Sequence, residues 1–298
     1  MKLVEKASGW LFALGLAVAL VLAFNYLDVL ILMGFRGAGV DTKLYKGIYS
    51  MTAAVINVIA FAAFFIICKK LRRPVLQMRK LGWVEVVLLV IIAIGMLGFV
   101  DTFIMVSDRI AEYIKSLSEQ MTEYRQSVDR YTGVSEDAVP LWDTVCYLIT
   151  LCFIVPLEEE LIFRGAVFGV LRRKMGPLAS IIITAVIFGI MHRVSVHTAY
   201  AIVCGMILTA CYYYTEDIFA SVIMHSIFNI IGSGLGDLLK LKELGVSSGL
   251  RKEIILNCNI ICILMMVPAG LGFLALARIS RKRRNRKQAK AESVAAVE

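Results

Sequence analysis

A chain of 298 residues that is 59% hydrophobic and only 18% charged, with a mean hydropathy of +0.78, is too apolar to cover a water-soluble surface. This excludes ordinary soluble enzymes and carriers. Its formal net charge of +9 sits in clusters flanking apolar runs, with no basic surface interleaved with aromatics, so membrane lipids and not nucleic acid are the expected anionic partner.

Lys2 and Lys6 precede the first apolar run, 7–34. That run outlasts the roughly 7–15 residues of a secretory h-region and ends at no small-residue cleavage site, so it reads as a retained helix. Further runs at 47–68, 84–106, 141–171, 177–194, 196–215, 218–231 and 254–277 compare with the roughly 20 helical residues that cross a bilayer. The pattern predicts an all-α, polytopic membrane helix bundle of about eight spans. Four segments follow: the first three spans (1–106), an extracytoplasmic connection (107–140), a polar-motif core (141–232), and the last span with a basic tail (233–298).

Orientation is read from the cations. Lys69, Lys70, Arg72, Arg73, Arg79 and Lys80 fill the second connection, Arg172, Arg173 and Lys174 the fourth, and Arg281 to Lys287 the tail. All fall on one side of an eight-span layout, which predicts a multi-pass protein of the cell membrane with both termini cytoplasmic. Within the acidic connection 107–140, Ile110, Tyr113, Ile114, Leu117, Met121, Tyr124, Val128 and Tyr131 recur at helical spacing. They predict an amphipathic helix on the membrane surface or packed on the bundle, ended by Gly133 and Pro140. The seven cysteines include no C-x-x-C pair, and neither disulfides nor a cysteine metal site is expected.

Polar residues within apolar spans carry the functional signal, because each costs free energy at membrane depth. Asn25, Asp28, Asn57 and Asp101 are scattered over the first three spans, and Asp28 and Asp101 fall near outer helix ends, away from any predicted site. The core instead groups Glu158-Glu159-Glu160 with Arg164, Phe188 with His192, and His225 with Asn229. Adjacent helical residues point about 100° apart, whereas residues four apart share a face. Glu159 therefore reads as the working carboxylate, and Glu160 with Arg164 as a supporting ion pair. At about 1.5 Å per residue, Glu159, His192 and Asn229 reach similar depths and converge on one layer. His225 and Asn229 would donate to an oxyanion; alternatively, Glu159, His192 and His225 would supply three ligands to a catalytic zinc. His197, in the outer connection after the fifth span, reads as a surface residue.

In order and spacing these groups resemble the CPBP family of intramembrane proteases, which includes type II CAAX-prenyl endopeptidases and bacterial Abi-type proteins. The family's E-E-x-x-x-R matches Glu159, Glu160 and Arg164, its F-x-x-x-H matches Phe188 and His192, and its H-x-x-x-N matches His225 and Asn229. The resemblance covers about residues 139–232, and Glu158 is an addition to the family's pair. It implies an intramembrane polar cavity, open to the cytosol, where a peptide or membrane-protein substrate is hydrolysed. H-E-x-x-H is absent, and Gly234-Leu235-Gly236-Asp237 reads as a glycine-rich turn ending the seventh span. The alternative is a non-catalytic transporter, or an immunity or binding protein, using the same cavity; it would not require this pairing of residues.

Overall fold

The computed structural model describes residues 2–72, 75–132, 139–192 and 195–295, and among these there is no strand. Helices α1 (Lys2–Gly37), α2 (Lys46–Lys70) and α3 (Trp83–Ala111) are the first three spans, and α4 (Lys115–Thr132) is the amphipathic helix of the outer connection. Next, α5 (Leu141–Ile149), α6 (Val155–Glu160) and α7 (Phe168–Leu171) form one helical run, interrupted by π-helical segments at Thr150–Ile154 and Leu161–Val167. Then come α8 (Pro177–Ile190), α9 (Ser195–Thr215), α10 (Ile218–Asn229), a third π segment (Ile230–Gly234), α11 (Leu235–Leu238), α12 (Ser248–Leu264) and α13 (Met266–Ala295).

Five helices are long and apolar enough to cross a membrane, and α12 with α13, bent by 46°, make a sixth if counted as one span. The eight-span expectation differs at two places. The run 141–171 is helical throughout but carries Asp143, three glutamates and Arg164. Helix α8 has 14 residues, about 21 Å at 1.5 Å per residue, short of the roughly 30 Å hydrocarbon core. The seventh span continues through the π segment to Leu238, where a glycine-rich turn was expected. The bend between α12 and α13 falls just before Pro268, whose ring disfavours a continuous helix through the preceding turn.

Helix α8 lies along α9, while α10 packs against α3, α6 and α9. Close approach of α8 and α9 depends on glycine: a Cβ on Gly189 would stand 2.4 Å from Ile202 Cγ1, and one on Gly205 would stand 3.0 Å from Phe188 Cδ1. Such small-residue contacts are how membrane helices gain packing without a hydrophobic driving force. Helix α2 takes its N-terminal cap from another helix. Asp143 accepts from Gly47 N at 2.7 Å and Ile48 N at 2.9 Å, satisfying amides that Tyr45, at the cap position, leaves open.

The basic segments meet at one end of the bundle. Arg79 Nε donates to Thr215 O at 2.6 Å, Arg172 donates to Gln77 Oε1 at 2.6 Å, and Lys287 pairs with Glu216 at 2.8 Å. At the opposite end α4 packs on the bundle, with Arg125 bonded to Asp108 at 2.5 Å, Ser195 donating to Gln120 at 3.1 Å, and Tyr124 against Tyr200. Arg73, in the basic connection, and Gly133, the expected end of α4, lie outside the described residues.

Candidate active site

The three adjacent glutamates of α6 point three ways, as the 100° helical step requires. Glu160 is wholly buried, and its Oε1 accepts from Arg164 Nη1 at 2.7 Å and from His225 Nδ1 at 2.9 Å. Glu158, also buried, turns to α2, where Asn57 Nδ2 donates to its Oε1 at 2.7 Å. Glu159 is the most open of the three, with 24% of its side chain exposed, and its Oε2 stands 3.8 Å from His225 Nε2. That distance is beyond a hydrogen bond, so carboxylate and imidazole face the same space unjoined.

Arg164 is anchored from α8 and α9. Its Nε donates to Thr209 Oγ1 at 3.3 Å, its Nη2 to Gly205 O at 3.4 Å, and its guanidinium lies 4.5 Å from the centre of the Phe188 ring. Phe188 is a hub: its ring also meets Phe163 at 5.0 Å, His192 at 4.8 Å and His225 at 6.2 Å. One aromatic side chain thereby supports the buried cation and both imidazoles, giving the first residue of F-x-x-x-H a physical role.

The tautomers follow from the partners. A carbonyl or a carboxylate can only accept, so His192 Nδ1, 2.9 Å from Phe188 O, and His225 Nδ1, 2.9 Å from Glu160 Oε1, are the protonated nitrogens. In the neutral rings each Nε2 is left as a base. His225 acquires a second donor only as an imidazolium.

Asn229 has a structural duty that explains its register. Within the first π segment the Val155 N–H turns to Thr150 O, and Pro156 has no N–H, so the Leu151 carbonyl is released from the helix ladder. Asn229 Nδ2 donates to that carbonyl at 2.9 Å. An unsatisfied backbone group at membrane depth costs several kcal/mol, and this amide meets the requirement. One of its N–H groups is thus committed, and only the other remains for an oxyanion.

Three expectations change. His197 is half-buried and not on the surface: its ring centre is 4.2 Å from that of His192 and stacks on Tyr200 at 4.8 Å. It reaches His192 because α9 folds back directly after α8. Asp28 is linked to the glutamate cluster, because Asn57 Nδ2, which bonds Glu158, also lies 2.8 Å from Asp28 Oδ1. The zinc set of Glu159, His192 and His225 is not assembled. Among the described residues no three His, Cys, Asp or Glu side chains are arranged to hold a metal ion, and these residues do not fit a zinc centre in this arrangement. Thr209, Gly205 and the Leu151 carbonyl went unforeseen because they join the site only through helix packing. Asn57 carried one signal, an amide within an otherwise apolar span.

Comparison with known proteins bears on the same segment. Residues 141–231, from α5 to the π segment after α10, match the family described as type II CAAX prenyl endopeptidase Rce1-like. The UPF0177 protein YxdF of Lactococcus lactis subsp. lactis (strain IL1403) is 30% identical over 128 residues, covering 43% of this chain and 70% of that protein. The chain belongs to the Rce1-like, CAAX-protease family. All three motif groups of this family member lie inside the matched segment. No solved structure matches the chain.

Proposed function

We propose that the protein is an intramembrane endopeptidase that hydrolyses a peptide bond in a membrane-associated substrate of CAAX or leader-peptide type. The observation that carries this reading is the division of the three glutamates. Glu158 and Glu160 are committed to Asn57 and to Arg164 with His225, leaving Glu159 open beside His225 Nε2 at 3.8 Å.

Glu159 serves as general base, taking a proton from the water that attacks the scissile carbonyl, with His192 Nε2 assisting as a second base. Glu160 holds His225 through Nδ1, and the imidazolium donates its Nε2–H to the developing oxyanion, joined by the free N–H of Asn229. Proton return to the departing amine releases the two fragments. Arg164 keeps Glu160 ionised and oriented. In this reading the basic end of the bundle faces the cytoplasm, with both termini on that side, as the clustered cations favour. In cells, membrane-peptide termini should include products that depend on the intact chain and vanish with Glu159→Gln. Identical termini in both strains would count against a peptidase.

A further inference from the structure

The proposed active site does not use the densest charge in the molecule, which lies where α13 leaves the bundle. A recess of about 660 Å³ between the start of α3 and α13 is lined by Arg79, Lys282, Arg283, Arg286, Lys287 and Lys290. Its other walls are Trp83, Val84, Ile279 and the buried Glu85. On α13 itself the charge continues beside Lys282 and Arg286 with Arg278 and Arg281.

Some of these cations are already balanced. Glu85 takes Arg79 at 2.5 Å and Arg283 at 2.8 Å, and Lys287 pairs with Glu216 at 2.8 Å. Lys282, Arg286 and Lys290 carry no ion pair among the described residues. Spaced four apart, they stand on one face of α13, where like charges at that spacing repel. A counter-anion would relieve the repulsion.

The apolar wall says which anion. Trp83 opens a membrane span and is 78% exposed, and Val84 beside it is 41% exposed. Exposed tryptophan at a span end marks the headgroup level, and α13 turns from apolar to basic at Arg278. An amphiphile with a phosphate beside acyl chains matches both surfaces, whereas a soluble anion or a nucleic acid would leave the tryptophan wall unpartnered. We propose that the α3–α13 recess binds the phosphate headgroup of an anionic phospholipid, held by Lys282, Arg286 and Lys290 and packed against Trp83. This goes beyond the peptidase reading and does not depend on it.

The test uses the purified full chain in neutral detergent, titrated with dioleoyl phosphatidylglycerol or dioleoyl phosphatidylcholine, with bound lipid counted by native mass spectrometry and melting followed in parallel. Phosphatidylglycerol should be retained in preference to phosphatidylcholine and should raise the melting temperature. Lys282→Gln, Arg286→Gln and Lys290→Gln should each weaken its retention by about fivefold, the scale of one basic residue at a charged membrane surface. Melting without added lipid should not fall, because these side chains are exposed and each substitution removes a like-charge repulsion. Trp83→Ala should weaken retention with every charge in place. Equal retention of the two lipids, or unweakened phosphatidylglycerol binding by the Gln variants, would overturn the proposal. So would an equal melting shift from inorganic phosphate or a short single-stranded DNA.

Discussion

Arg164 holds three elements together, since its guanidinium ties α6 to α8 and α9 while fully buried. Removing one partner of a buried ion pair typically costs about 3–5 kcal/mol, because the other charge is stranded. Arg164→Ala should therefore lower folded yield and melting temperature as well as turnover, and normal melting would show that Glu160 is not dependent on it. Asn229→Ala should also be destabilising, by about 1–3 kcal/mol, the desolvation cost of the orphaned Leu151 carbonyl, measurable in a denaturant or thermal series. A variant that loses turnover at unchanged stability would assign Asn229 to the reaction alone. Much of the pairing at this scale was legible in the sequence, because four-residue spacing puts Glu160 and Arg164 on one helix face whatever surrounds them. The Asn229–Leu151 bond was not, because it depends on the first π segment and on its packing against α10, which the fold alone brings about.

At the scale of elements, the turn from α9 to α10 sets where His225 falls, and it is pinned by the tail helix. Glu216, in that turn, has a positive φ of 58°, the left-handed region that favours glycine. Lys287 and Arg284 hold it there, and Arg284 also donates to Tyr213 O at 2.8 Å. Burial alone would push the Glu216 carboxyl up, but the Lys287 hydrogen bond and the charges of Lys287, Arg283 and Arg284 hold it below its ordinary value. A depressed folded-state value means stability that is present above the ordinary glutamate range and lost as pH falls through the lowered value. Melting scans from neutral to acid pH should show Glu216→Gln less stable than the unsubstituted chain at neutral pH, with the gap closing in acid. Glu216→Gly should recover part of the loss by relieving the backbone. A constant gap at every pH would mean the ion pairs contribute nothing. The helices themselves were readable from hydropathy, and Pro268 is the one sequence signal for the 46° bend, but the π segments were not readable, because they depend on hydrogen-bond register more than on apolarity.

The whole molecule is polarised end to end. The connection after α2, the turn after α7, the α9–α10 turn and the tail meet at one end, and α4 packs on His197 and Tyr200 at the other. If the basic end is cytoplasmic, cysteines introduced singly at Arg72 and Arg173 should be shielded from impermeant reagent in sealed cells, and one at Glu123 should react; the opposite pattern would invert the protein. Clustered cations made this polarity legible, whereas the link from Asp28 through Asn57 to Glu158 crosses helices whose proximity no local pattern encodes. The most direct test of the central claim compares the three glutamates in purified protein, with a farnesylated CAAX peptide as probe. The account predicts that Glu159→Gln melts like the unsubstituted chain yet abolishes cleavage, that Glu158→Gln still cleaves, and that Glu160→Gln loses both stability and cleavage. Cleavage retained by Glu159→Gln, or abolished by Glu158→Gln in stably folded protein, would contradict it.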